Sequence, residues 1–166
     1  MSKVDLHIHS TASDGRFSPA EIVGKAAEQG LVVIALTDHD TLEGIVPALE
    51  AARAFPGLRV IPGVEINTDV PTGEAHILGY FIDYTQYELL EILARLRRSR
   101  ERRACGMIER LADLGIRLEW QHIQERTVAS SIGRPHIAQA MMERGLHQLI
   151  SRSLCQVYRA GWSGLR

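Results

Sequence analysis

The chain has 166 residues, of which 45% are hydrophobic and 23% are charged, a composition that excludes a disordered or collagen-like protein. Its length predicts one domain, or one domain with a small appendage. The longest apolar run, residues 31–36, is far shorter than the ~20 residues that span a bilayer, and the chain does not open on a secretory signal, so no membrane partner is expected. Two cysteines without a CxxC spacing favour a reducing cytoplasm.

Charge is distributed unevenly along the chain. Residues 1–83 contain 5 basic and 12 acidic side chains, whereas residues 84–166 contain 14 basic side chains, all arginine, and 8 acidic ones. Solvated helix surfaces would explain this asymmetry, and so would an acidic site that holds cations beside a basic region that attracts anions. Charge alone favours the first explanation, so the motifs have to decide between the two.

The first half of the chain alternates between strand and helix patterns. The capping box Ser18-Pro19-Ala20-Glu21 predicts the start of a helix, and Gly30 predicts its end. This alternation predicts an α/β fold with parallel strands and right-handed crossovers. Strands are predicted over residues 3–9, 31–36, 59–66 and 75–81, and a second helix over residues 41–55.

The second half of the chain shows helical patterns. A long amphipathic pattern covers residues 86–114, a shorter helix is expected around residues 119–126, and another begins at Pro135 and ends before Gly145. The chain is therefore expected to divide into three parts. These are strand–helix units over residues 1–84, a helical subdomain over residues 85–145, and an atypical tail over residues 146–166.

The first candidate site is a histidine pair. Residues 3–9 predict a strand that places Asp5, His7 and His9 on the same face. Imidazole nitrogen is the commonest metal ligand in proteins, and such a pair can chelate one ion. Alone the spacing is weak evidence, because surface or satisfied histidines are the more common explanation.

Other polar residues stand at or near strand ends. Asp14 lies in the loop after the first strand, His39 and Glu65 lie at the ends of the second and third, and His76 lies on the fourth. The carboxyl ends of parallel strands open on one face, so these side chains are expected to converge on one pocket. Turn caps, helix caps or solvated carboxylates would explain each residue singly, but their shared register favours a metal cluster. The predicted ligands are His7, His9, Asp14, His39, Glu65 and His76.

The segments DLHIHSTASDG, ALTDHDT, PGVEI and EAHILGY, in this order and spacing, resemble the polymerase-and-histidinol-phosphatase (PHP) family of metal-dependent phosphoesterases. The resemblance covers about residues 3–145. It implies the N-terminal part of a distorted (β/α)7 TIM-like barrel with an inserted helical subdomain, and two or three divalent ions (manganese, zinc, iron or magnesium). It also implies the ligand roles: the HxH pair His7 and His9, the bridging carboxylate Glu65, the second-site ligand His76, and the third-site pair Asp14 and His39.

The segment SIGRPH, residues 131–136, resembles one subgroup of that family, which includes nucleotide phosphatases and short-RNA 5′ exonucleases. It implies Arg134 and His136 as candidates to bind a substrate phosphate, since arginine offers a bidentate fork to phosphate oxygens. A plain helix start with Arg134 on the surface is the alternative. Asp5 and Asp38 are expected to orient histidine rings, and the arginines clustered in residues 95–103 are expected to be mostly solvated.

These observations predict a metal-dependent phosphoesterase. It would hydrolyse phosphate monoesters or diesters of nucleotides or short oligonucleotides through a metal-activated hydroxide, because close cations acidify a bridging water and stabilise the attacking and leaving oxygens. Neither a serine nor a cysteine nucleophile is needed. An amide- or deaminase-type barrel hydrolase is a competing prediction, since such enzymes also place an HxH pair on the first strand.

The length of the chain adds a further expectation. Members of the family continue well beyond this length and carry more metal ligands there, which predicts a C-terminally truncated or frameshifted product, or a site completed in a homo-oligomer that covers the open half barrel. The corresponding alternative function is a catalytically incomplete fragment that binds metal and phosphate.

Overall fold

A four-stranded sheet forms the centre of the first half of the chain. The structure is a computed structural model, and it describes residues 3–70, 73–126 and 131–146. Within these residues the strands lie side by side in chain order. The strands are β1 (Val4–Ile8), β2 (Val33–Leu36), β3 (Arg59–Val70) and β4 (Gly73–Tyr80), and the helices are α1 (Pro19–Glu28), α2 (Ile45–Ala52), α3 (Tyr87–Asp113), α4 (Trp120–Arg126) and α5 (Arg134–Glu143).

Helix α1 begins and ends where the sequence predicts. The backbone N–H of Glu21 donates to the Ser18 hydroxyl, and the backbone N–H of Ser18 donates to the Glu21 carboxylate, so the capping box is confirmed. Pro19 occupies the first helical position. Gly30 adopts a φ of 73°, a left-handed conformation that suits glycine and ends the helix.

The relative directions of the strands confirm one part of the prediction and correct another. β1 pairs with β2, and β2 with β3, in parallel. β4 instead runs antiparallel to β3, so the expectation of parallel strands is wrong for β4. A parallel partner needs a crossover of a dozen or more residues, and only residues 71 and 72 separate β3 from β4.

The sheet is strongly curled. β1 and β4 are its two edge strands, with two strands between them, yet the Tyr80 hydroxyl donates to the Leu6 carbonyl oxygen at 3.0 Å. A flat sheet would hold these strands about 14 Å apart, at ~4.8 Å per neighbouring pair, which is beyond the reach of a tyrosine. The mixed α/β architecture with a half-barrel sheet agrees with the predicted fold class.

Helix α2 begins later than predicted, at Ile45 and not at residue 41. Residues 41–44 form a loop instead, and Asp40 directly before them adopts a φ of 52°. This start places Pro47 in the first turn, where its missing N–H costs nothing. The N-cap is Gly44 without a side-chain cap hydrogen bond, so neither Asp38 nor Asp40 caps this helix.

The described residues divide into two compact units, with the boundary inside α3 between Arg97 and Arg98. The core of the first unit forms between α1, β2, α2, β3 and the start of α3, around Val23, Ile34 and Leu93. The second unit has its own core, which includes Leu111, Ile137 and Met141. No helix in the described ranges is both long enough and apolar enough to cross a membrane. Residues 147–166, nearly all of the predicted tail, lie outside the described residues.

Candidate metal centre

The two histidines at the end of β1 meet a buried glutamate. Nε2 of His7 lies 2.9 Å, and Nε2 of His9 2.8 Å, from the same oxygen, Oε2 of Glu65. The two rings are 5.0 Å apart between centroids. Glu65 is only 1% exposed, whereas the His7 side chain that faces it is 50% exposed, so the carboxylate is buried at a site that solvent reaches from the histidine side. The predicted chelating pair is therefore aimed at the predicted bridging carboxylate.

Backbone pairing between the two strands places His39 next to Glu65. The Glu65 N–H donates to the Asp38 carbonyl at 3.2 Å, and the Asp40 N–H donates to the Glu65 carbonyl at 2.9 Å, which extends the parallel pairing of β2 and β3 past the end of β2. His39 is thereby paired with Glu65, and its Nδ1 lies 3.5 Å from Glu65 Oε2. Its Nε2 lies 3.5 Å from Oδ2 of Asp14.

Asp14 lies in a loop that follows β1 and folds back onto it. The backbone N–H of Gly15 donates to the Ser10 carbonyl at 2.9 Å. A Cβ at residue 15 would lie 2.1 Å from the His9 carbonyl oxygen, so only glycine permits this approach. The fold-back puts Oδ1 of Asp14 2.9 Å from Nδ1 of His9.

His76 comes from the antiparallel strand β4 and not from a parallel strand end. It stands opposite Asn67 in the β3–β4 ladder, and its Nδ1 makes a short contact with Oε1 of Glu65. Its ring lies edge-on to that of His39, with 5.3 Å between centroids. The sequence predicted this proximity from a strand direction that β4 does not have. The antiparallel strand brings His76 to the same glutamate by another route.

All six predicted ligand residues thus lie together. They form three overlapping groups, in each of which the potential ligand atoms lie within 4.8 Å of one another. His9, His39 and Glu65 each belong to two groups. The groups are His7–His9–Glu65, His9–Asp14–His39 and His39–Glu65–His76.

The charges in this cluster are suited to a cation. Burial lowers the pKa of His9, but the hydrogen bond to Asp14 and the charges of Asp14, Glu65 and Asp38 outweigh it and raise that pKa overall. Burial raises the pKa of Glu65, yet its hydrogen bond to His7 and the neighbouring histidines lower it overall, so Glu65 is ionised at neutral pH. The two carboxylates therefore attract positive charge to the space between them.

The hydrogen-bonding geometry of His9 leads to the same conclusion. Its Nδ1 faces Asp14 and its Nε2 faces Glu65, both within 2.9 Å. A neutral imidazole has only one N–H, so it cannot donate to both carboxylates. The arrangement requires either a protonated ring or a cation among these groups. Nitrogen and oxygen donors without thiolate suit divalent zinc, manganese or iron, so the residues present fit a divalent-cation centre.

Asp38 and Asp5 contact groups other than the imidazoles. Asp38 is buried, and it accepts hydrogen bonds from the Ser10 N–H (2.7 Å), the Ser10 hydroxyl (2.7 Å) and the Ser13 hydroxyl (2.6 Å). Asp5 is exposed and accepts from the backbone N–H of His7 at 3.2 Å. The hydrogen bonds expected from these aspartates to histidine rings are not found among the described residues. Asp38 instead fastens the loop that carries Asp14.

Ser10 and Ser13 are not predicted from the sequence. Both are buried, and both contribute hydroxyl donors to Asp38 although 28 and 25 residues separate them from it. The available signal is weak: the two serines flank Thr11-Ala12 between the HxH pair and Asp14, and solvated polar residues are common in such a loop. Only the position of Asp38 makes them structurally necessary, because a buried carboxylate needs donors.

Arg134 and His136 belong to the second unit, at the start of α5. The backbone N–H of Gly133 donates to Nδ1 of His136 at 3.0 Å, so this ring satisfies a backbone group at the helix start. Arg134 is half-buried. The two units are described separately, and the binding of a substrate phosphate by these residues stays a prediction.

Several known proteins are similar to this chain. The model of the PHP domain matches residues 5–157. The 5'-3' exoribonuclease Rnm of Escherichia coli K12 is 39% identical over 142 residues, which are 85% of this chain and 48% of that protein. The 3',5'-nucleoside bisphosphate phosphatase of Chromobacterium violaceum is 33% identical over 151 residues, with coverages of 87% and 51%.

A solved structure is similar to this chain in fold. It is described as a metal-dependent phosphoesterase from Bifidobacterium adolescentis, and it matches with a TM-score of 0.82 at 30% identity. The match covers 93% of this chain and 55% of that one. The chain spans about half the length of the curated relatives it matches.

Proposed function

The chain belongs to the PHP domain family, and on that premise we propose that it is a metal-dependent phosphoesterase acting on nucleotides or short oligonucleotides. The observation that carries the proposal is the position of Glu65. Its buried carboxylate is shared by two groups of candidate ligands, one with His7 and His9 and the other with His39 and His76. A carboxylate between two cation positions offsets the repulsion between the cations, and a pair of close cations is the arrangement that suits in-line displacement at phosphorus.

The six clustered residues would hold two or three divalent ions of manganese, zinc, iron or magnesium. When bound, such ions supply an acidified water and positive charge for the phosphoryl oxygens. The protein's own part is to hold these ligands rigidly. Glu65 and His39 are fixed by paired backbone, and Asp14 is fixed by the fold-back at Gly15.

The substrate class rests on the relatives and on two residues. The similar proteins named above are, by their names, an exoribonuclease and a nucleoside bisphosphate phosphatase. In this chain Arg134 would bind a substrate phosphate through its guanidinium fork, and His136, two residues further along the chain, is the second candidate. A cytoplasmic location and a homo-oligomer that covers the open half barrel belong to the proposal as well.

The test is metal analysis of the purified chain combined with a phosphate-release assay. The substrates are nucleoside monophosphates, nucleoside 3',5'-bisphosphates and 5'-phosphorylated RNA oligonucleotides, with a cyclic amide as the contrasting class. We expect bound divalent metal and release of phosphate. We expect turnover to fall by more than ~100-fold in His7→Ala and Glu65→Gln, because even partners of metal ligands contribute about 10–100-fold.

The matched control is His122→Ala, which removes an exposed histidine on α4. Equal rates in His7→Ala, Glu65→Gln and the control would refute the proposed centre. Metal uptake without turnover on any phosphate ester would instead favour a metal-binding function without catalysis. Activity on the cyclic amide alone would favour an amide hydrolase.

A further inference from the structure

We propose that Asp40 is a positioning residue for the candidate metal centre. Its carboxylate takes the place of a missing backbone carbonyl in the β2–β3 ladder and thereby holds His39 against Glu65. The inference rests on the proposed function in so far as His39 and Glu65 are metal ligands. Asp40 lies directly after His39 and is only 1% exposed.

The backbone pairing around His39 is that of a regular parallel ladder. In such a ladder the residues before and after His39 both bond to Glu65, and they do: the Glu65 N–H donates to Asp38 and the Asp40 N–H donates to Glu65. The next bond in the series would run from the Asn67 N–H to the backbone carbonyl of Asp40.

That next bond is made by a side chain instead. Asp40 has a φ of 52°, which turns the chain away from the direction of β2, and its backbone carbonyl accepts from Nη1 of Arg97 at 3.4 Å. The Asn67 N–H donates to Oδ1 of Asp40 at 3.3 Å. The carboxylate thus occupies the place of the displaced carbonyl and satisfies a buried N–H of β3.

This substitution explains why an aspartate suits the position. The chain has to leave the sheet immediately after His39, so that residues 41–44 can lead into α2. Left-handed φ values are unfavourable for most side chains, but aspartate and asparagine tolerate them better than others do. Their short side chains also carry an acceptor that reaches neighbouring backbone. Capping of α2 is not the reason, since that helix begins at Ile45 with Gly44 as its N-cap.

The consequence is that Asp40 acts on two ligands without being one of them. Its backbone N–H donates to the carbonyl of Glu65, and its carboxylate accepts from the N–H of Asn67, two residues further along β3. Its positive φ determines the direction in which the chain continues after His39. Loss of the carboxylate would free the Asn67 N–H and allow the 38–40 loop to shift along β3. His39 and Glu65 would then be held less accurately around a cation.

Three variants separate the two properties of Asp40. Asp40→Asn keeps both the side-chain acceptor and the tolerance of positive φ, Asp40→Gly keeps only the tolerance, and Asp40→Ala keeps neither. The matched control is Asp113→Ala, at an exposed aspartate that ends α3. The readouts are cobalt(II) affinity and visible absorption of the full chain, the melting temperature of the metal-free protein, and hydrogen exchange of the Asn67 amide.

We expect Asp40→Gly and Asp40→Ala to weaken cobalt binding by about 10–100-fold, the loss typical of groups that orient metal ligands. The cobalt affinity of Asp40→Asn should stay near that of the wild type. Exchange of the Asn67 amide in the metal-free protein should be at least about tenfold faster in the glycine variant than in the asparagine variant. If Asp40→Ala does not fold, the comparison of glycine with asparagine still decides.

Wild-type cobalt affinity and absorption in Asp40→Gly would overturn the inference, and so would equal losses in Asp40→Gly and Asp40→Asn. Absence of cobalt binding by the wild-type chain would refute the proposed function instead. In that case the Asn67 exchange rates still show whether the carboxylate holds β3, and unchanged rates would overturn this inference too.

Discussion

His9 and Asp14 face each other across a loop of four residues, with 2.9 Å between Nδ1 of the imidazole and Oδ1 of the carboxylate. The opposite nitrogen of the same ring faces Glu65 at 2.8 Å. An imidazole ring between two carboxylates is either protonated or next to a bound cation. This relationship makes both the stability of the metal-free protein and its metal affinity depend on pH, in opposite directions.

The first prediction concerns the metal-free protein. The folded-state pKa of His9 is raised above its ordinary value of 6.5, so protonated His9 stabilises the fold fully below pH 6.5. This stabilisation is lost as the pH rises through the raised pKa. The melting temperature of metal-free wild type should therefore fall across this range more steeply than that of His9→Gln. Equal slopes for the two proteins would contradict the prediction, and His122→Gln should keep the wild-type slope.

The second prediction concerns metal affinity over the same pH range. Metal can bind His9 only after the ring has lost a proton, so protons compete with the ion up to a higher pH than for an ordinary histidine. Cobalt affinity should rise with pH through the raised pKa of His9, with release of protons. Titration calorimetry in buffers of different ionisation enthalpy measures that release, and binding without proton release at pH 6.5 would contradict the expectation.

The third prediction concerns Gly15. In Gly15→Ala the new Cβ would lie 2.1 Å from the His9 carbonyl oxygen and 2.8 Å from the Ser10 Cα, so the loop has to move. We expect a loss of about 1–3 kcal/mol in the free energy of unfolding, together with weaker metal binding, because Asp14 moves with the loop. The matched control is Gly24→Ala in α1, where a Cβ meets nothing within 4 Å and should add roughly 0.5–1 kcal/mol. Urea unfolding of both variants measures the difference, and a neutral Gly15→Ala would contradict the fold-back.

The fourth prediction concerns the serines around Asp38. Burial raises the pKa of Asp38, and the hydrogen bonds from Ser13 and Ser10 oppose that rise. Ser13→Ala should therefore destabilise the fold by about 1–3 kcal/mol and raise the pKa of Asp38 further. A double-mutant cycle of Ser13→Ala with Asp38→Asn should give a coupling energy of about 0.5–3 kcal/mol. Additive effects would show that the two side chains do not interact.

The fifth prediction concerns Arg134. If its guanidinium binds a substrate phosphate, Arg134→Ala should raise KM for a nucleoside monophosphate by at least about tenfold and leave cobalt affinity unchanged. The comparison variant is Arg53→Ala, which removes an exposed arginine of the first unit. An unchanged KM in Arg134→Ala would leave this arginine with a structural role at the start of α5.

Local patterns predicted local structure well. The capping box of α1, the extent of α3 and the HxH pair on β1 depend on residues close together in the chain, so the sequence alone identifies them. Convergence of the six ligand residues was also predicted, because the carboxyl ends of parallel strands meet at one edge, although this reason does not hold for His76 on the antiparallel strand β4. The start of α2 was predicted four residues early, since residues 41–44 form the loop that leaves the sheet after His39, and a local pattern does not show where that loop ends.

What the sequence by itself determined is therefore the set of chemical groups and the strands that carry them. The tertiary structure decided how those groups are held: β4 turns antiparallel and brings His76 to Glu65, Asp38 collects donors from a loop 25–28 residues away, and Asp40 replaces a carbonyl in the ladder. The physical reason is that hydrogen-bond satisfaction of buried groups depends on which segments meet in space. Residue type and spacing show that a buried carboxylate needs partners, and only the folded chain shows which partners it finds.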